Sequence, residues 1–236
     1  MLKDSLLVLL GNFLFLFLWK IFFTVFPAIG TWSFKEMLLL IAFSSGSLGL
    51  MQLLFGGVKR LPHLIRSQKL DTFIVHSNPS LLAILCSSSI TRGWGHILTS
   101  LILFTTVKLS LFPLYLLCTL GSCLILTATH TLLYSLFFWF SLQKTLAVYE
   151  ECLLLFSLYP THIYGKSFRI LLFSFLPVAY IGSFPVTLVY SFSWVNLLFF
   201  GSVVLLFCLT AFAIFSLGCM RYRKKLLLKT TMEEKT

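Results

Sequence analysis

Apolar residues run through this chain in blocks of about twenty, the length an α-helix needs to cross the hydrocarbon core of a bilayer, and polar residues gather between the blocks. Residues 5–27 form the first block, ending at Pro27 with Trp32 placed for the membrane interface, and residues 36–55 form the second. Residues 93–109 follow between Arg92 and Lys108, and 111–140 make a long fourth block behind Pro113. Residues 195–218 make the last block, closed by Arg221, Arg223, Lys224 and Lys225. The first block is long, carries Lys20 and lacks a small-residue cleavage site after it, so it reads as a retained transmembrane helix.

The stretch between 141 and 190 is harder to divide. Residues 141–158 are apolar on one side and carry Lys144, Glu150 and Glu151, whereas 168–190 are more apolar but hold Pro177 and Pro185. Two prolines this close break the intrahelical ladder, and freed backbone groups at membrane depth need protein or water around them. The pattern therefore favours 141–158 as a crossing helix and 165–187 as a broken, re-entrant or interfacial element. The opposite assignment, with 168–190 crossing, is simpler on hydropathy and keeps Lys144, Lys166 and Arg169 on the inner side.

Composition agrees that lipid is the main solvent: 58% of residues are hydrophobic, Phe alone numbers 26, and only 11% are charged. A soluble domain needs roughly a quarter of its residues charged. The excess of 18 Lys/Arg over 7 Asp/Glu reports membrane topology and contact with anionic lipid; no motif points to nucleic acid. Short basic loops stay cytoplasmic, which places the 56–92 segment (Lys59, Arg60, Arg66, Lys69, Arg92), the N-terminus and the 221–236 tail on one side. An even number of crossings follows, and six is the expected count. The fold class is thus an all-α polytopic membrane protein with a single transmembrane domain over 1–220.

The basic interruption between Gly56 and Gly93 has no packing role in lipid, so a cytosolic partner is the expected reader. In its first part, 56–80, Leu61, Ile65 and Leu70 can line one face of a short helix while Arg66 and Lys69 face water or an acidic groove. The competing reading is an interfacial helix lying on anionic headgroups, each cation contributing roughly 1 kcal/mol.

Two stretches carry a family resemblance. Residues 31–71 begin Thr31-Trp32-Ser33 and end Ile65-Arg66-Ser67-Gln68-Lys69-Leu70-Asp71. Residues 156–186 contain Tyr159-Pro160, Ile163-Tyr164, Pro177-Val178-Ala179 and Pro185. Together they resemble the membrane subunits of ABC-2-type exporters, in the branch of short six-span permeases of uncharacterised substrate. Gln68 stands where that pattern has Gly, and Ser77 where it has Pro. The resemblance implies a permease that works as a homodimer or with a sister permease in a bacterial cytoplasmic membrane. It also implies a short cytosolic coupling helix that docks on a separate ABC ATPase subunit, which binds the ATP. This chain has no G-x-x-x-x-G-K-[ST] phosphate loop. Ile65, Arg66, Lys69, Leu70 and Asp71 are the expected ATPase contact, with no cofactor, metal or catalytic residue in the chain itself.

Glu150 and Glu151 either face a translocation path, paired with a cation such as Lys144 or Lys166, or lie in a wet interface; a carboxylate at mid-bilayer costs on the order of 2.5–3.5 kcal/mol. His130, among Thr127, Thr129 and Thr131, either lines a polar path or bonds between helices. Ser44, Ser45, Gly46, Ser47 and Gly49 give the second block a small-sided face, for dimerisation or for packing within the chain. The six cysteines have no CxxC spacing and read as small hydrophobes. The rival classes are an integral membrane enzyme acting on lipid, for which only Glu150, Glu151 and His162 come near a catalytic cluster, and a noncatalytic membrane scaffold.

Overall fold

The computed structural model describes residues 2–30, 32–67, 69–70, 81–107, 109–140, 143–174 and 176–233, and every regular element among them is helical. The elements are α1 (Leu2–Val25), α2 (Phe34–Leu54), α3 (Leu61–Arg66), α4 (Leu81–Leu85), α5 (Gly93–Val107) and α6 (Phe112–Ser135). They continue with α7 (Gln143–Ser157), α8 (Lys166–Ser174), α9 (Ser183–Tyr190) and α10 (Trp194–Glu233). Four segments are long and apolar enough to cross a membrane: α1, α2, Phe112–Phe138 and Trp194–Lys224. A fifth is reached if Lys166–Ser174 and Pro177–Tyr190, which meet at 70°, count as one broken span.

Local chemistry sets the ends of α2. The chain turns between α1 and α2 where Gly30 takes a φ of +61°, a left-handed conformation open to glycine, and Ile29 and Trp32 exchange backbone hydrogen bonds of 2.9 and 3.1 Å across the turn. Ser33 then caps the helix with Glu36 three residues on, whose Oε2 accepts from the Ser33 N–H at 2.8 Å. At the other end, Gly56 and Gly57 open a 3-10 turn that runs to Arg60 and leads into α3, where Pro62 occupies the first turn.

The bundle is layered around α2. Of the most apolar window of α2, 72% is buried, against 6% for α1 and 17% for α10. The small-sided face expected on α2 packs within the chain: a Cβ on Gly49 would stand 2.9 Å from the Gly93 carbonyl oxygen, and Ser100 Oγ donates to the Ala42 carbonyl at 2.6 Å. Small residues let α2 and α5 approach closely, and the hydroxyls supply the bonds that lipid cannot. The outer helices show Leu and Phe outward along α1 and along α10 up to Leu217, as lipid-facing helices do.

Helix α7 is tied to α2 and to the turn after it at two points. Its Glu150 lies next to Lys59, just after the C-terminus of α2, and its last carbonyl, at Ser157, accepts from Ser44 Oγ at 2.6 Å near the middle of α2. Beyond it, Tyr159 stacks edge-on against Phe15 and Trp19, and the His162 ring lies 5.7 Å from that of Trp32. The bent pair then reaches back toward the centre, where Ser122 Oγ donates to the Tyr180 carbonyl at 2.9 Å. Helix α9 returns to the Trp32 end, with Val186, Leu188 and Val189 in one cluster with Trp32 and Met37. Ser44 and Ser122 thus satisfy backbone carbonyls left open where the Pro-rich stretch breaks the helical ladder.

The last helix differs from the expected block. It does not stop at 218 but runs on as one helix to Glu233, because no Gly or Pro follows Gly218 and the Arg, Lys and Leu residues there are good helix formers.

Candidate functional site

The clearest polar constellation lies at the end of the bundle where α2 gives way to the basic segment. Three stretches far apart in sequence bring it together. The 3-10 turn Gly56–Arg60 supplies Lys59, α6 supplies His130 and Tyr134, and α7 supplies Glu150. Gly57 fixes the turn, since a Cβ there would run into the carbonyl oxygens of Ile84 and Leu85, so only glycine lets the 84–85 backbone come so near. His130 and Tyr134 are four residues apart and share one face of α6.

Glu150 is the hub. Its Oε1 forms an ion pair with the Lys59 ammonium, and its Oε2 accepts from the Tyr134 hydroxyl at 2.7 Å. His130 is buried, and its Nδ1 carries the proton donated to the Leu126 carbonyl oxygen at 2.8 Å, since that oxygen can only accept. Its Nε2 faces Glu150 Oε1 at 3.7 Å, outside hydrogen-bond reach, and has no bonding partner of its own. The imidazole therefore stands against the carboxylate without bonding to it. The Lys59 and Glu150 side chains are 33% and 22% exposed, so the pair sits at a boundary and is less costly than a fully buried one. Nothing in this arrangement activates a nucleophile; it ties the turn before α3 to two bundle helices.

The expected translocation residues separate. His130 and Glu150 meet, whereas Glu151, one residue further along α7, is exposed and outside the cluster. The cation paired with Glu150 is Lys59: the turn after α2 lies against α7, while Lys166 belongs to α8 and is exposed elsewhere, and the Lys144 side chain lies outside those described. Thr127, Thr129 and Thr131 each donate to the carbonyl one turn earlier, and Thr127 and Thr131 also line a mostly apolar cavity of about 420 Å³.

Of the expected ATPase contacts, Ile65 and Leu70 are buried in the apolar cluster that holds Leu61, Leu64 and Leu153, while Arg66 and Lys69 are exposed. Asp71 lies outside the described residues. Sequence reasoning missed Lys59 and Tyr134. The available signals were the four-residue spacing of Tyr134 from His130 and the Gly-Gly pair just before Val58 and Lys59.

An all-helical bundle with lipid-facing outer helices and one charged knot at an end is a multi-pass membrane protein with no catalytic constellation of its own among the described residues. The chain matches the family described as ABC-2 family transporter protein over residues 7–225, nearly its full length, and belongs to that family; it is a membrane permease component of ABC transport. No curated protein and no solved structure matches it.

Proposed function

We propose that this chain is the permease half of an exporter powered by a separate cytosolic ABC ATPase, which binds and hydrolyses the ATP. It crosses the membrane six times, with α5 and α7 as the short crossings and 165–187 as a re-entrant element on the outer side. Both termini and the 56–80 segment are cytoplasmic, in a bacterial inner membrane. A second copy or a sister permease completes the path.

One observation carries this reading: the exposed cationic face of α3 is joined to the bundle through Lys59 and Glu150. Helix α3 buries Leu61, Leu64 and Ile65 and leaves Arg66 outward. Lys59, two residues before it, is bonded to Glu150 on α7. A push on α3 by an ATPase is thereby delivered to α7, the helix whose far end leads into the re-entrant element. Ile65 and Leu70 anchor the segment to the bundle, and Arg66, Lys69 and Asp71 are the residues assigned to meet the ATPase.

The test is co-purification of the ABC ATPase subunit co-expressed with the permease. Arg66→Glu together with Lys69→Glu is expected to abolish recovery of the ATPase while leaving yield and monodispersity of the permease intact. Undiminished recovery with both charges reversed would refute the docking assignment.

A further inference from the structure

The opposite end of the bundle holds a cavity that the transport reading does not use. It measures about 470 Å³, within the range of small-molecule sites, and lies between α8, α9 and the 3-10 turn Thr161–Ile163. Its polar lining is Arg169, His162, Thr161, Ser174, Ser183 and Thr187, with no carboxylate among them. Its apolar lining is Ile170, Phe173 and Phe184.

We propose that this cavity binds an anionic amphiphile, a phosphate-bearing headgroup held by Arg169 with an apolar chain laid against Phe173 and Phe184. Several observations converge on that class. Arg169 is exposed to the cavity, and the acidic residue near this end, Glu36, is engaged with Ser33 at the start of α2. Among the described side chains the other acidic groups are Asp4 in α1's first turn and Glu150 and Glu151 on α7. A guanidinium in a half-apolar cavity calls for an anion, and phosphate oxygens match its fork of donors. Burial and the neighbouring guanidinium hold His162 below the ordinary imidazole range, so near neutrality it offers a hydrogen bond and adds no second charge. Thr187 and Ser183 line the same cavity as Arg169, and Ser183 Oγ accepts from the Thr161 N–H at 3.3 Å, which fixes one wall. The aromatic wall is suited to an acyl chain and has no use for a free inorganic ion.

This binding is independent of the ATPase reading and stands or falls without it. The full chain, purified in detergent, is titrated with phosphatidylglycerol or with phosphatidylcholine of the same acyl chains, each with and without excess inorganic phosphate, and bound lipid is counted by native mass spectrometry. The first phosphatidylglycerol is expected to bind about tenfold more tightly than phosphatidylcholine, the scale of one charge-assisted contact. Arg169→Gln should erase that preference, and Arg92→Gln, at the other end of the bundle, should keep it. Equal binding of the two lipids, or an unchanged preference in Arg169→Gln, overturns the proposal. Displacement of phosphatidylglycerol by inorganic phosphate at similar concentration also overturns it, assigning a free-anion site instead. A second readout leaves Arg169 in place. With the other tryptophans changed to Phe, Trp32, whose ring lies 5.7 Å from that of His162, should be quenched more by chain-brominated phosphatidylglycerol than by brominated phosphatidylcholine. Equal quenching counts against the site.

Discussion

The two ends of this bundle treat charge in opposite ways. At the Lys59 end the carboxylate of Glu150 is matched by an ammonium and a phenol from two other elements, and the result is an internal tie. At the Trp32 end Arg169 faces a cavity whose lining offers hydroxyls and rings but no anion. A matched charge at a membrane boundary holds elements together, whereas an unmatched one invites a ligand. The contrast separates the part of the chain built to transmit a push from the part built to meet a molecule. The apolar residues obey the same division: α2 is wrapped by its neighbours, and α1 and α10 face outward.

Substitutions can break the tie in graded steps. The largest loss is expected from Gly57→Val, because the added side chain must displace the Ile84 and Leu85 backbone; about 4 kcal/mol or more, read as thermal unfolding in detergent, is the predicted cost. Glu150→Leu comes next, at about 2–3 kcal/mol. It leaves Lys59 and the Tyr134 hydroxyl without their acceptor, but partial exposure keeps it below the figure for a fully buried pair. Adding Lys59→Met to Glu150→Leu should recover most of that loss, since both partners are then apolar. A double mutant no better than Glu150→Leu alone would show that the pair does not hold these elements together. Ser122→Ala is expected to cost about 1 kcal/mol, the worth of one interhelical hydrogen bond, by exposing the Tyr180 carbonyl. Arg66→Glu should change stability by less than about 0.5 kcal/mol, as an exposed side chain away from the tie.

Periodicity and charge made the helical class, the apolar blocks and the odd basic segment legible, because each depends on residues near one another in sequence. They also marked Glu150 and His130 as polar groups in need of a partner. They did not reveal Lys59 as that partner. The pairing depends on α7 lying against the turn after α2, 91 residues away in the chain, while its far end is held by the Ser44 hydroxyl donating to the Ser157 carbonyl across 113 residues. Lys144 and Lys166 were nearer in sequence and therefore looked better placed. The same limit applies to the prolines at 177 and 185. Sequence shows that the helix must break, but the remedy for the open carbonyls, the Ser122 hydroxyl on another helix, appears only in three dimensions.

The account depends most on which side of the membrane each end occupies. Single cysteines at Arg66 and at Gly165, where a side chain meets nothing within 4 Å, can be placed in a background whose six native cysteines are changed to Ser or Ala and labelled in intact cells with a membrane-impermeant maleimide. The account predicts labelling at 165 in intact cells and at 66 only after the membrane is opened. Labelling of position 66 from outside would contradict it, because no cytosolic ATPase could then reach α3.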